Sequence, residues 1–253
     1  GTPLLCNVLT EHGMTDLAYR LLLNEEYPGW LHEVKLGATT VWERWNSLDE
    51  NGRISSTGMN SLNHYSYGAV LEWIFRHVAG IDVTEQGPGG KMMRISPKVD
   101  HKLGSASAVY DSASGCYRCG WQIENGDQIT VTVTVPFGAK AQVILPYAPD
   151  SVYHDTDNPL FETVENGICC VKAGQYTVTY KAASPLKKSY SVDSTLEDLL
   201  AEPAIRAFLS NMMEVDMIPD LAYGLTLRQA AEAFAGGVSA EQAQRLNALL
   251  EEF

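Results

Sequence analysis

The chain is 253 residues long, 45% hydrophobic and 19% charged, with a formal net charge of −13 from 18 basic and 31 acidic side chains. That length can bury a substantial core and sets an expectation of two or three domains. The acidic balance argues against nucleic acid and against an anionic membrane surface as partner, because both are bound through Lys and Arg, and no apolar run approaches the ~18 residues that span a bilayer.

The chain opens on Gly1, with neither an initiating Met nor a charged-then-apolar leader, and reads as a piece of a longer polypeptide. Thr2-Pro3 pairs an N-cap residue with a proline suited to the first helical position. Apolar residues at helical spacing predict helices over Thr2–Glu11 (Leu4, Leu5, Val8) and Thr15–Asn24 (Leu17, Leu21, Leu22), broken at His12-Gly13. A longer connection containing Tyr27-Pro28-Gly29 follows. A third helix is expected over Leu62–Val78, apolar on much of its circumference and therefore well buried, with Gly80 ending it.

From residue 84 the pattern changes. Ile129–Val135 alternates Ile/Val with Thr, the period of a strand with one buried face, and Asn125-Gly126 joins it to the Tyr117–Ile123 run as a hairpin. Further strands are expected at Lys91–Ile95, Ala106–Tyr110, Ala141–Leu145, Ile168–Lys172 and Gln175–Lys181, which together suggest an antiparallel sandwich. From residue 190 helices return: Ser194/Glu197, Thr226/Gln229 and Ser239/Gln242 have capping-box spacing. Pro203 suits a helix start and Gly236-Gly237 a stop, and the sets Ile205/Phe208/Leu209/Met212 and Ala243/Leu246/Leu249/Leu250 would face a small core. This tail carries 11 acidic against 3 basic residues, which disfavours a DNA-reading helix pair. The expected class is thus an α+β multidomain fragment, with helices over 1–83, a β-sandwich over 84–189 and a helical extension over 190–253.

Five cysteines, two of them adjacent at Cys169-Cys170, suit reduced thiols and favour a cytoplasmic setting. Cys116-x-x-Cys119 has no second pair or His cluster at zinc spacing and reads as ordinary strand. No cofactor and no metal is called for.

Four of the five tryptophans fall between positions 30 and 73, and Trp42 and Trp45 bracket Glu43-Arg44. Aromatic faces beside a carboxylate are what a sugar site needs, although Glu43 could instead be paired with a cation and Trp73 reads as core. His64 either caps the start of the third helix through backbone hydrogen bonds or holds substrate hydroxyls.

The run Gly37-Ala38-Thr39-Thr40-Val41-Trp42-Glu43-Arg44-Trp45, followed by Met59-Asn60-Ser61-Leu62-Asn63-His64-Tyr65-Ser66-Tyr67-Gly68-Ala69-Val70, closely resembles the end of the catalytic domain of bacterial α-L-rhamnosidases (glycoside hydrolase family 78). Tyr27–Leu31, Glu72-Trp73 and Val78–Ile81 fit the same pattern, and the resemblance continues more weakly over 84–184. It implies the closing helices of an (α/α)6 barrel followed by a β-sandwich, and an inverting hydrolase removing terminal α-L-rhamnose. Glu43 is the implied general base, His64 the implied rhamnose contact, and Trp42, Trp45 and Asn63 are pocket-shaping at most. It also implies that the general acid lies in an earlier part of the barrel, so that the partners are a rhamnose-containing glycoside or polysaccharide and the remaining N-terminal part of the polypeptide. Alternatives are a related (α/α)6 glycosidase acting on another sugar, or a non-catalytic carbohydrate-binding or assembly module.

Overall fold

A computed structural model describes residues 1–49, 51–55, 58–155, 157–187, 189–212, 214–234 and 236–251. The chain forms two compact units, Gly1–Leu186 and Lys187–Phe253.

The first unit opens with a 3-10 turn, Thr2–Leu4, capped at Gly1 rather than Thr2, which runs into α1 (Leu5–Glu11). Gly13 takes a positive φ of 78° and breaks the chain before α2 (Thr15–Leu22). The long connection expected next contains a short helix, α3 (Trp30–Lys35). The third expected helix starts at Ser66, four residues late, as a 3-10 turn (Ser66–Ala69) followed by α4 (Val70–Trp73) and a π turn (Ile74–Val78). The delay has a cause: the His64 amide donates to the Val41 carbonyl at 2.8 Å and is committed to a loop pairing. Burial is also one-sided. Val70, Trp73 and Val78 point inward, but Leu71 is 58% exposed and Phe75 is exposed as well.

Two sheets share one hydrophobic core with these helices. One sheet has the order β1-β2-β6-β8-β7, comprising β1 (Ile81–Val83), β2 (Met92–Ile95), β6 (Lys140–Val143), β7 (Val164–Glu165) and β8 (Ile168–Val171). The other has the order β3-β4-β5-β9, comprising β3 (Ser105–Ser112), β4 (Gly115–Glu124), β5 (Gln128–Val135) and β9 (Gly174–Lys181), all antiparallel. In β5 the residues Ile129, Val131, Val133 and Val135 are buried and the threonines between them face away, as the alternation requires. Asn125 (φ 53°) and Gly126 (φ 80°) supply the two left-handed residues of the tight β4–β5 turn.

The expectation of a purely antiparallel sandwich is corrected by one pair. Strands β2 and β6 run parallel, with Met92 opposite Lys140 and Ile95 opposite Val143. Between them the chain crosses to the other sheet, makes β3, β4 and β5 there, and returns in its original direction. A parallel neighbour needs such a long connection.

Helices and sheets are tied by polar side chains at buried ends. Trp73 packs edge-on to Tyr19 at 5.2 Å and donates its indole N–H to Thr10 Oγ1 at 2.8 Å. Trp121 of β4 donates to the Val78 carbonyl at 2.7 Å, and the Tyr19 hydroxyl donates to the Lys98 carbonyl. Cys116 and Cys119 lie on opposite faces of β4, where only Cys119 is buried, as strand residues three apart must.

The second unit contains α5 (Leu196–Ala201), α6 (Pro203–Ser210), α7 (Leu227–Phe234) and α8 (Ala240–Leu250) around its own core. Ser239 and Gln242 form the expected reciprocal cap, and Thr226 and Gln229 exchange the same pair of bonds. The Ser194/Glu197 expectation is off by one: Thr195 caps α5 by accepting from the Asp198 amide at 3.1 Å, while Ser194 Oγ accepts from Ser191. Pro203 opens α6, and Gly236 and Gly237 both take positive φ after α7. Ile205, Leu209, Ala243 and Leu250 are buried, but Met212 and Leu249 are exposed, so the proposed apolar sets are narrower than their spacing suggested.

Candidate active-site edge

The segment between α3 and the helix at Ser66 is irregular and carries the Trp-Glu-Arg-Trp block. It is held by backbone pairing rather than by regular structure. The Glu43 amide donates to the Ser61 carbonyl at 2.9 Å, and the His64 amide donates to the Val41 carbonyl at 2.8 Å. The Thr40 hydroxyl donates to the Leu62 carbonyl and the Arg44 guanidinium to the Met59 carbonyl. Residues 41–43 and 61–64 therefore lie side by side, which places Glu43 and His64 on adjoining stretches of backbone, both half-buried.

Ser47, fully buried, closes the loop between them. Its hydroxyl accepts from the Arg44 amide at 3.3 Å, and its carbonyl accepts from Ser55 at 3.0 Å and from the Asn60 side chain at 2.8 Å. The tryptophans anchor the loop. Trp45 sits 5.1 Å from both Trp30 and Tyr67, and the Trp30 indole donates to the Tyr67 carbonyl at 3.0 Å. Trp42, 3% exposed, points into the protein. These rings fasten the carboxylate-bearing loop to α3 and to the helix after it.

The His64 ring does what a residue before a helix is expected to do: Nδ1 accepts from the Ser66 amide at 3.3 Å. The neutral tautomer that allows this carries its proton on Nε2, the nitrogen able to donate to another oxygen. The ring stacks on the exposed Tyr65 at 5.5 Å, with planes 5° apart.

One carboxyl in this region was not singled out from sequence. Glu33, in α3, is 3% exposed, and its Oε2 accepts from the Trp42 amide at 3.4 Å. Burial pushes its pKa up to about 7, against the smaller opposing effect of the Trp42 N–H. Glu33 lies three residues after Trp30, on the same helical face, and that spacing was the available signal.

Two open clefts lie away from this segment. One, of about 540 Å³, is lined by Arg228, Ala243 and Asn247; the other, of about 360 Å³, is lined by Asn158, Gln175 and Tyr176.

Comparison with known proteins matches residues 1–78 to the bacterial alpha-L-rhamnosidase 6 hairpin glycosidase domain and residues 80–158 to the bacterial alpha-L-rhamnosidase C-terminal domain. An alpha-L-rhamnosidase of Alteromonas sp. (strain LOR) is 41% identical over 178 residues, covering 70% of this chain and 18% of that protein. One from Formosa agariphila is 40% identical over 166 residues, covering 66% of this chain and 18% of that protein. The crystal structure of Streptomyces avermitilis alpha-L-rhamnosidase complexed with L-rhamnose superposes with a TM-score of 0.62 at 35% identity, over 72% of this chain and 17% of that one. The chain thus spans under a fifth of the length of these relatives. With helices and a mixed-sheet sandwich in the same order as both matched domains, the chain belongs to the bacterial α-L-rhamnosidase family.

Proposed function

We propose that this chain supplies one edge of an inverting α-L-rhamnosidase site, with Glu43 as the general base. The observation that carries the reading is the backbone pairing of residues 41–43 with 61–64, which sets half-buried Glu43 and His64 on adjoining stretches in a family of rhamnose-releasing enzymes. In an inverting glycosidase one carboxylic acid protonates the leaving oxygen, while a carboxylate on the opposite face, roughly 6.5–9.5 Å away, takes a proton from the attacking water. Glu43 takes the second part. His64 Nε2–H, pointing away from the backbone amide that Nδ1 accepts, donates to a sugar hydroxyl.

The acid comes from an earlier part of an (α/α)6 barrel, of which the helices of residues 1–78 are closing members. One feature supports this. Leu4, Leu5 and Val8 at the start, and Leu71 and Phe75 on the later helix, expose apolar side chains as helices of a continuing wall would.

The isolated chain is therefore expected to show negligible turnover of an aryl α-L-rhamnoside, and Glu43→Gln in the complete enzyme is expected to lower kcat about 1,000-fold or more with the fold intact. Turnover by the isolated chain comparable to that of a complete rhamnosidase, or a Glu43→Gln enzyme with unchanged kcat, would overturn the proposal.

A further inference from the structure

We infer that Glu33 is a positioning residue for the Glu43 base: from α3, beneath the loop, its carboxyl holds the backbone amide immediately before the base. The inference rests on the general-base reading above.

The argument starts from the backbone. Trp42 is buried in an irregular stretch, and a buried amide without an acceptor is costly. The neighbouring groups are satisfied across the loop: the Val41 carbonyl accepts from His64, and the Glu43 amide donates to Ser61. The Trp42 amide turns the other way, toward Glu33 Oε2. The stretch bearing the base is thus held from two sides, by the 61–64 backbone in front and by one side chain behind. Because α3 is also joined to the following helix through Trp30 and Tyr67, Glu33 links the base to a regular element rather than to another loop.

The choice of a carboxyl here is costly. Glu33 is almost fully buried, Oε1 makes no hydrogen bond among the described residues, and Oε2 is met only by a neutral N–H at 3.4 Å. No cation among the described residues forms an ion pair with it, and burial lifts its pKa toward neutrality. An apolar side chain of similar length would fill the same space without that penalty, but it could not accept from Trp42. Local features that oppose stability while ordering a reactive side chain belong at working sites.

The test is a set of variants in a complete enzyme that contains this segment, assayed on an aryl α-L-rhamnoside and melted in parallel. Glu33→Leu is expected to lower kcat about 10- to 100-fold with KM altered less than about threefold, because the base is misaimed while sugar binding persists. Its Tm is expected to hold or rise. Glu33→Gln keeps an acceptor oxygen and is expected to retain kcat within about threefold. A Leu variant with normal kcat per folded molecule, or a Gln variant as impaired as Leu, would overturn the inference. Glu43→Gln run alongside separates the two claims: if it is active, the general-base reading fails; if it is inactive while Glu33→Leu is normal, only the role of Glu33 fails.

Discussion

Asp82 offers the sharpest test of how the first unit is held together. It lies in β1 directly opposite Arg94 of β2, with its side chain 6% exposed. Arg94 Nη2 donates to it at 2.7 Å, and Arg76, from the π turn, donates through Nε at 3.0 Å while also reaching Glu72 at 2.9 Å. Asp82→Ala removes the acceptor from both guanidiniums. Charge-assisted bonds of this kind contribute about 1.5–3 kcal/mol each when buried. The Arg76 and Arg94 side chains are 35% and 48% exposed, so both can rehydrate, and about half that value is appropriate, giving a loss of about 1.5–3 kcal/mol in all. All five tryptophans lie between positions 30 and 121, so a urea titration followed by tryptophan fluorescence reports on Gly1–Leu186 alone. With an m-value of about 2–3 kcal/mol/M, the midpoint should fall by about 1 M. Burial pushes the Asp82 pKa up, but the bonds from Arg94 and Arg76 outweigh it and hold the group below its ordinary 3.8. A depressed carboxyl pKa contributes stability that is fully present above the unfolded value and is lost as pH falls through the native one. The gap between the two proteins should therefore stay constant from pH 7 to about 4 and narrow below that. A gap under about 0.5 kcal/mol at pH 7, or one that widens on acidification, would refute the reasoning.

Two further outcomes are expected. Trp73→Phe deletes a hydrogen bond to Thr10 and part of a fully buried ring, and should cost about 2–3 kcal/mol in the same fluorescence titration; a change below about 1 kcal/mol would mean that the site collapses around the smaller ring. In the second unit, Leu209→Ala should cost about 2–4 kcal/mol whereas Met212→Ala, at a position 58% exposed, should cost under about 0.5, measured by thermal unfolding of the helical signal; equal effects would contradict the one-sided burial of α6.

What could be read from the sequence was what depends on near neighbours. The β5 alternation, the Asn125-Gly126 turn and the reciprocal cap at Ser239/Gln242 are all decided within a few residues, and each is found where its pattern lies. The capping-box motif at Ser194 misled by one position because Thr195 and Asp198 satisfy the same spacing. Elements missed were short ones specified from afar. The helix α3 has six residues, too few for a periodic signal, and is fixed by Trp30 reaching Tyr67. The three residues of β1 take their register from β2, and the two of β7 from β8. The parallel β2–β6 pair joins segments separated by three strands of the other sheet, and no local pattern encodes that return.

The same distinction governs the charged groups. Glu43 stands out in the sequence because tryptophans flank it, whereas Glu33 looks like one more acidic residue in a helix until its burial is known. Asp82 and Glu33 are both carboxyls almost wholly removed from solvent within one unit, yet their acidities move in opposite directions. Asp82 faces two guanidiniums, one of them placed by strand register, and remains ionised in spite of burial. Glu33 faces a single peptide N–H, and burial prevails. Both sites cost desolvation, but only at Asp82 do the partners offset it with structure. At Glu33 the cost is left standing next to the residue assigned to the chemistry. That asymmetry separates a carboxyl that holds two strands together from one that holds the backbone beside the proposed base.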